Sequence, residues 1–463
     1  MQEKTQKNSG EISFGTILGI LKERSKIHFI GIGGVSMYSL ARLSLLGGAT
    51  VSGSDRVESR RTIDLSLLGA EINIGHRADN VNGASLVVYS HAISADNVEI
   101  LAAGELGIPS VSRDRFLGAI MTEYSCRIGI SGSHGKSTTV AMLDMIFSRS
   151  GTNPTVLSGA DLPIGEPFRS GSHGVMIYEA CEYKDSFLRF SPSIAIGLNL
   201  ELDHTDYFND IDSLKNSFLR ALGKAERFVL VNGDDENLSA IKDRIACPVI
   251  TFGSGDRNDY SYSFVSFFDG GFEFSLSKFG SVIGNFKLHI PGAFNVNNAV
   301  SAIICALEYG IDIDTVTEAI EDFKGISGRL EYIGERLGRA VYYDYAHHPT
   351  EIRASINALK IHTKDKLTVI FKPHTYTRTA SLWDDFCSSL SLADHILLTD
   401  IYPAREEPID GITSERLAEQ IGDKAIYCPD DDLLTALDLY TKGTIVLMGA
   451  GDLEKIRNNV ITS

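Results

Sequence analysis

Gly129-Ile-Ser-Gly-Ser-His-Gly-Lys-Ser-Thr-Thr139 decides how the rest of the chain is read. The apolar run Arg127 to Ile130 predicts a strand feeding a glycine-rich turn, and Thr139 to Ser148 has the apolar spacing of a helix. Strand, glycine turn, Lys136-Ser137-Thr138 and helix is the order that holds nucleotide phosphates. Gly132 and Gly135, with Ser133 and His134 between them, let backbone N–H groups approach phosphate oxygens. The helix N-terminus adds partial positive charge, Lys136 offsets the outer phosphates, and Ser137 offers a hydroxyl to Mg²⁺. A strict phosphate-loop pattern has glycine five places before Gly135, where Ile130 stands. An ordinary strand-to-helix turn could carry the same glycines. The coincidence of turn, lysine, hydroxyl triplet and both flanks favours a nucleoside triphosphate.

At 463 residues the chain exceeds a single core, and roughly 100–200 residues per domain implies about three domains. Its 43% hydrophobic and 22% charged residues are those of a soluble globular protein. A formal charge of −17 argues against a nucleic-acid partner, which needs a basic stripe. There is no run of about 18 apolar residues to span a membrane, and Met1 to Gly10 is polar without a signal core. Six scattered cysteines, without CxxC spacing, favour reduced thiols over disulfides or zinc. The expected location is the cytoplasm.

Lys26 to Ile30 reads as a strand, followed by Gly31-Ile-Gly-Gly-Val-Ser36 and a helix from Met37 to Leu46 that Gly47-Gly48 stops. Ala49 to Gly53 is a second strand, ending at Ser54 and Asp55. In this βαβ unit Gly31, Gly33 and Gly34 admit a pyrophosphate to a helix N-terminus. Ser36 in place of the last glycine, and the second nucleotide loop downstream, weigh against a dehydrogenase. A strand from Ser85 to Ser90 leads to His91 and then to a helix from Asn97. Asp55, Ser90 and His91 therefore fall at strand ends, where open α/β sheets place ligands.

In the centre, the strand Gly174 to Tyr178 ends in Glu179-Ala-Cys-Glu182, and Ile194 to Leu198 ends at Asn199, with Asp203-His204 beyond. Ser137, Glu179 and His204 are candidate Mg²⁺ or Mn²⁺ ligands, because hydroxyl, carboxylate and imidazole suit a cation beside phosphates. Singly, Glu179 could be a helix-capping charge and His204 a loop histidine. Phe228 to Val231 is a further strand, and the aromatic stretch Tyr260 to Phe286 predicts antiparallel strands on the edge. Asn295 and Asn298 precede a predicted helix, Ala299 to Tyr309; their amides can pair with an adenine edge or cap the helix.

Gly325 to Arg329 reads as a linker ending in a cation. Four strands are predicted beyond it, each ending in chemistry. Ala340 to Tyr343 ends at Asp344 and at His347-His348; Leu367 to Phe371 ends at His374 and Arg378; Ile396 to Thr399 ends at Asp400, Tyr402 and Arg405; Ile445 to Met448 ends at Gly449. Another parallel sheet is implied, with a ligand cleft on its carboxyl edge. His347 and His348 would point apart on a strand, which favours anion or hydrogen-bond roles over a metal. Arg378 beside His374 suits a substrate carboxylate.

Taken in order, the motifs resemble the Mur ligase family over about Ile27 to Ile456. They are Gly31-Ile-Gly-Gly34 with Met37, Gly132 to Thr139, Glu179-Ala-Cys-Glu182 with Asp185-Ser-Phe187, Asn199 with Asp203-His204, and Asn295-x-x-Asn298. Gly328-Arg329, Asp344-Tyr-Ala-His-His-Pro-Thr350 and Pro373-His374-x-x-x-Arg378 complete the set. The resemblance is nearest to the alanine-adding branch and implies an α/β fold of three domains. Residues 1–122 would be a Rossmann-like UDP-sugar domain, 123–325 a central ATPase-like mixed sheet, and 326–463 a Rossmann-like amino-acid domain. It implies ATP and Mg²⁺ or Mn²⁺, with UDP-N-acetylmuramate and L-alanine joined through an acyl phosphate in cell-wall precursor synthesis. Catalytic roles would fall to Lys136, Glu179, His204, His348 and Arg378. ATP would meet Gly132 to Thr138, Asn295, Asn298, Arg329 and Asp344. The other substrates would meet Gly31, Gly33, Gly34, Asp55, Ser90, His91, His374 and Arg378.

Ser36, His91, Phe294 and Thr375 depart from the residues usual in the family, and Lys215 does not align with the carbamylated lysine of several sister ligases. A ligase for a recycled tripeptide is the nearest rival, and a nucleotide-dependent switch the rival of another class. Chemistry at all four C-terminal strand ends speaks against the switch.

Overall fold

The computed structural model describes residues 12–461 apart from 205–206, 269, 364, 405, 441–442 and 452. Arg405 and the polar start, Met1 to Gly10, lie outside the described residues. The chain forms two compact units. The first runs to Ser261 and takes in Ser301–Thr315; the second comprises Tyr262–Val300 and the chain from Val316.

The first unit opens with α1 (Phe14–Lys22), β1 (Lys26–Ile30), α2 (Val35–Leu46), β2 (Thr50–Asp55), α3 (Arg60–Leu67) and β3 (Glu71–Ile74). Then come β4 (Leu86–Tyr89), α4 (Val98–Glu105), β5 (Ser110–Ser112) and α5 (Arg113–Ile120). The strands are parallel in the order β3-β2-β1-β4-β5. That order reverses direction between β1 and β4, so a crevice opens beyond their carboxyl ends. Gly31 follows β1 and Ser90 follows β4, which puts both at this switch point.

The same unit continues through β6 (Cys126–Ser131), α6 (Lys136–Arg149), β7 (Thr155–Leu157), β8 (Phe168–Arg169), β9 (Val175–Glu179) and β10 (Ile194–Gly197). After these come α7 (Ile211–Leu222), β11 (Phe228–Asn232), α8 (Glu236–Ile241) and β12 (Val249–Gly253). Their order is β12-β11-β10-β6-β9-β7-β8, with only the β7–β8 pair antiparallel. β10 and β11 are buried at every residue. Helices cover both faces of such strands, which is why they read as unbroken apolar runs rather than alternating ones. β6 lies between β9 and β10, so the strand ends carrying the phosphate loop, Glu179 and Asn199 are neighbours. The start of β13 (Tyr260–Phe268) pairs with β12, Phe252 opposite Tyr260.

The second unit holds the rest of β13, then β14 (Gly271–Lys278) and β15 (Ser281–Leu288), an antiparallel pair. α9 (Ala293–Tyr309) and α10 (Ile313–Asp322) follow, and the unit boundaries fall inside them. The last sheet is built from β16 (Glu331–Arg336), β17 (Arg339–Asp344), α11 (Pro349–His362), β18 (Leu367–Lys372), α12 (Tyr376–Ser381) and α13 (Trp383–Leu390). It ends with β19 (His395–Leu398), α14 (Ser414–Ile421), β20 (Ala425–Tyr427), α15 (Leu433–Tyr440), β21 (Thr444–Gly449) and α16 (Leu453–Val460). The order is β16-β17-β21-β18-β19-β20. β18 and β21, buried at every residue, form its centre.

Three expectations are corrected. The last sheet is not wholly parallel, because β16 and β17 form an antiparallel hairpin on its edge. His347 and His348 are not on a strand: β17 ends at Asp344, and Pro349 at the first helical position starts α11 with His348 as its N-cap. Asn295 and Asn298 lie inside α9, which starts at Ala293, rather than ahead of the helix. All four predicted C-terminal strands form, as β17, β18, β19 and β21. Among the described residues no helix is long and apolar enough to cross a membrane.

Candidate active site at the phosphate loop

The loop between β6 and α6 is shaped by two glycines in conformations that side chains resist. Gly132 has φ +150° and Gly135 has φ +85°. A left-handed residue with a Cβ costs about 1–2 kcal/mol, so glycine at 135 is a backbone requirement. Gly135 caps α6 without a side-chain bond, leaving the first N–H groups of the helix directed outward. Ser137 and Thr138 sit in that first turn and are buried.

The loop is braced from the neighbouring strand end. His134 N donates to Asn199 Oδ1 at 2.8 Å, and Asn199 Nδ2 donates back to His134 O at 3.0 Å. Ser133 Oγ donates to Glu201 O, and Glu201 N donates to Ser133 Oγ, both at 2.9 Å. His134 Nε2 also lies 3.1 Å from Glu201 Oε2. Ser131 Oγ donates to Ile196 O at 2.8 Å.

Lys136 folds back over this loop. Its ammonium donates to Gly132 O, to Ser133 O at 3.3 Å, and to Glu182 Oε2 at 3.2 Å. Burial alone would lower the Lys136 pKa. The carboxylate of Glu182, with smaller contributions from Cys181 and Glu179, more than reverses this and raises it, so the amine stays charged. Glu182 is itself buried, and its Oε1 lies 3.7 Å from His204 Nε2. His204 has φ +55°, a conformation that costs a non-glycine residue about 1–3 kcal/mol. Tyr207 N and Phe208 N donate to its carbonyl and hold it there, while the Tyr183 ring lies 4.7 Å from the imidazole.

Glu179, at the end of β9, accepts from Ser158 Oγ at 3.2 Å and from Gly159 N. Lys136 and Glu182 thus form an ion pair at the loop, where the sequence pointed to Glu179 rather than Glu182. The only sequence signal was a second acid three residues along the same strand end. The hydroxyl, carboxylate and imidazole of Ser137, Glu179 and His204 are donor types that suit a small divalent cation.

At the first switch point, Gly31 has φ +80°, and both Gly31 N and Ile32 N donate to Ser54 O at 2.8 and 3.0 Å. Gly33 N donates to Asp55 Oδ2 at 2.9 Å, and a Cβ at Gly33 would stand 2.9 Å from that oxygen. Gly34 caps α2 with no side-chain bond, which leaves a second open helix N-terminus. Asp55 therefore shapes the glycine turn through Gly33. Ser90 Oγ would lie 3.8 Å from a Cβ at Gly31, so the two predicted ligand positions adjoin. His91 faces buried Asp114, Nε2 to Oδ1 3.0 Å, which helps hold that carboxyl below its usual range despite burial.

In the second unit, Asp344 ends β17 fully buried. Burial pushes its carboxyl up to about 6, against the opposing pull of Ser355 and Arg329. Ser355 Oγ donates to Asp344 Oδ2. Arg329 stands over the Tyr345 ring, 5.2 Å from its centre. His348 Nδ1 accepts from Thr350 N at 3.4 Å as the cap of α11. His374 stacks on Tyr402 with ring centres 5.5 Å apart and lies 6.0 Å from His347. Arg378 NH1 approaches His374 Nδ1 at 3.3 Å. Burial, reinforced by His347 and Arg378, holds the His374 imidazole down to about 4, so it is neutral near pH 7. Asn295 Nδ2 donates to Pro291 O at 2.7 Å, and Asn298 Nδ2 donates to Asn295 Oδ1 at 3.0 Å.

Comparison with known proteins gives one consistent match along the chain. Family models match in order: Mur ligase family, catalytic domain, at residues 26–125; Mur ligase middle domain at 130–306; and Mur ligase, glutamate ligase domain, at 328–451. The UDP-N-acetylmuramate–L-alanine ligase of Caldicellulosiruptor bescii is 40% identical over 441 residues, 93% of this chain and 97% of that protein. The ligase of the same name from Alkaliphilus metalliredigens is 41% identical over 436 residues, 92% and 95% of the two chains. Among solved structures, UDP-N-acetylmuramate-alanine ligase of Thermotoga maritima superposes with a TM-score of 0.82 at 27% identity, covering 94% of this chain and 98% of that one. A murein peptide ligase of Psychrobacter arcticus shares the fold with a TM-score of 0.71 at 24% identity over 94% and 98% of the chains.

Proposed function

Because the chain belongs to the Mur ligase family, we propose that it joins L-alanine to UDP-N-acetylmuramate at the expense of ATP, in peptidoglycan precursor synthesis. The observation that carries this reading is the open start of α6, with Lys136 folded across it and the ends of β9 and β10 on either side. Such a site is built for phosphoryl transfer.

In the reaction the muramyl carboxylate attacks the γ-phosphorus of ATP, giving an acyl phosphate and ADP. Lys136 offsets the charge on the transferring group, and the open N–H groups of α6 receive phosphate oxygens. The alanine amine then attacks the acyl carbon, and inorganic phosphate leaves the tetrahedral intermediate. Mg²⁺ or Mn²⁺, held by Ser137, Glu179 and His204, would neutralise charge on the phosphates.

Gly31, Gly33, Gly34, Asp55, Ser90 and His91 are assigned to the UDP-sugar, whose diphosphate suits the open N-terminus of α2. Asn295 and Asn298 are assigned to the adenine end of ATP, and Arg329 and Asp344 are assigned to ATP as well. His348 is assigned to catalysis, and His374 and Arg378 are assigned to the amino acid. Arg378 would hold its carboxylate, with neutral His374 adding no competing charge. The proposed domain limits are 1–122, 123–325 and 326–463, and the proposed location is the cytoplasm, where ATP and nucleotide-activated sugars are made.

The test is phosphate release with ATP, UDP-N-acetylmuramate and a panel of amino acids plus the recycled tripeptide. Alanine should give the highest kcat/KM. Preference for the tripeptide would move the chain to the recycling branch, and release independent of the UDP-sugar would remove the ligase reading.

A further inference from the structure

An ammonium has three N–H donors, and protein groups engage Lys136 on three sides: Gly132 O, Ser133 O and the Glu182 carboxylate. The two carbonyls belong to the loop and move with it. Glu182 comes from the turn after β9, and its side chain is only 3% exposed. Both of its oxygens are within 3.3 Å of Nζ, and Oε1 also faces His204 Nε2 at 3.7 Å. A phosphate oxygen that pairs with Lys136 must take the place of one of these partners or share the donor with it. Glu182 is the anionic one among them, and a nucleotide polyphosphate brings more negative charge to the same ammonium.

We propose that Glu182 is a positioning residue that holds Lys136 over the loop and, by competing with the nucleotide's phosphates for its ammonium, sets nucleotide affinity and the rate of ADP release. The proposal rests on the phosphate-loop reading above and adds to it a residue that does not itself bind ATP. Electrostatics fixes the sign. Removing the charge while keeping an acceptor oxygen leaves Lys136 in place but weakens the protein's hold on it. The local potential then becomes more favourable to an anion.

The experiment compares Glu182→Gln, Glu182→Asp and Lys136→Ala with the natural protein. It uses calorimetric ADP titration with and without Mg²⁺, and stopped-flow measurement of ADP dissociation. Glu182→Gln should bind ADP about 3- to 10-fold tighter in both conditions and release it correspondingly slower, an order-of-magnitude expectation for one nearby charge. Glu182→Asp keeps the charge but draws it back, and should fall between the two; it also serves if the Gln variant does not fold. A structural role alone would weaken binding, so unchanged or weaker ADP binding by these variants overturns the proposal. A raised Mg²⁺ requirement with unchanged metal-free affinity also overturns it and makes Glu182 a metal ligand. Lys136→Ala must weaken ADP binding. If it does not, the phosphate-loop reading itself has failed, and the two failures are told apart.

Discussion

Asn199 and His134 are joined reciprocally: the asparagine amide accepts from His134 N at 2.8 Å and donates to His134 O at 3.0 Å. One side chain at the end of β10 thus satisfies both backbone polar groups at the middle of the phosphate loop. Two hydrogen bonds worth roughly 0.5–1.5 kcal/mol each hold the loop in the shape its glycines permit. Asn199→Ala should therefore raise the KM for ATP about tenfold and leave that for UDP-N-acetylmuramate within twofold. Steady-state kinetics varying each substrate checks this; equal damage to both constants would mean that Asn199 supports the fold at large.

Lys136→Ala should abolish turnover while UDP-sugar binding persists. The ammonium lies at the α6 loop, whereas the glycines assigned to the sugar nucleotide follow β1. Equilibrium binding of the UDP-sugar, read beside phosphate release, makes the comparison. Near-normal turnover would sink the assignment of the loop to phosphoryl transfer.

Glu179→Ala and His204→Ala should each raise the Mg²⁺ concentration needed for half-maximal rate. Ser158 and Gly159 hydrogen-bond Glu179, and backbone donors hold His204 in a left-handed conformation, so both are fixed at the loop's edge. An unaltered metal dependence in both variants would leave them as structural residues.

The parts of this site that were legible in the sequence are those set by local physics. Gly132 and Gly135 mark backbone that only glycine adopts freely, and the wholly buried β10, β11, β18 and β21 announce themselves as apolar runs. Local cues also misled. His347 and His348 follow an apolar strand, yet Pro349 cannot donate to a ladder and instead begins a helix. Glu182 was illegible as a partner of Lys136 because 46 residues separate them, and Glu179 offers the same chemistry from the same motif. The 3.3 Å approach of Arg378 to His374 was easier to anticipate, since four residues along a short turn keep two side chains together.

Asp344 gives a pH-dependent stability. Its folded pKa of about 6 lies above the ordinary carboxylate value because the group is buried. Ionisation is therefore harder in the folded state, and the protein loses stability from this group as pH rises through about 4 to 6. A shift of that size corresponds to about 3 kcal/mol. Asp344→Asn keeps an acceptor for Ser355 and has no charge to bury. It should stabilise the C-terminal sheet at about pH 7.5, with the gain vanishing near pH 4. Urea unfolding at the two pH values is the measurement. Destabilisation at pH 7.5 that fades toward pH 4 would show that Arg329 stabilises the ionised carboxylate more than burial penalises it, and equal destabilisation at both would show a role independent of charge.

Arg378 bears on the choice of amino acid. It sits on α12, just after β18, beside a His374 that burial keeps neutral. A free amino acid presents an α-carboxylate that must be bound and an amine that must be unprotonated to attack. A guanidinium stays charged at any working pH and grips a carboxylate with two parallel N–H donors, whereas a lysine offers charge without that fork. Arg378→Lys should therefore raise the KM for alanine strongly. The loss of a buried charge-assisted pair costs about 2–5 kcal/mol, and a lysine that retains part of it should fall toward the lower end of that range. The constants for ATP and the UDP-sugar should change far less. Varying each substrate in turn decides the matter: equal damage to all three constants would mean that Arg378 maintains the fold around His374 and that the alanine carboxylate is held elsewhere.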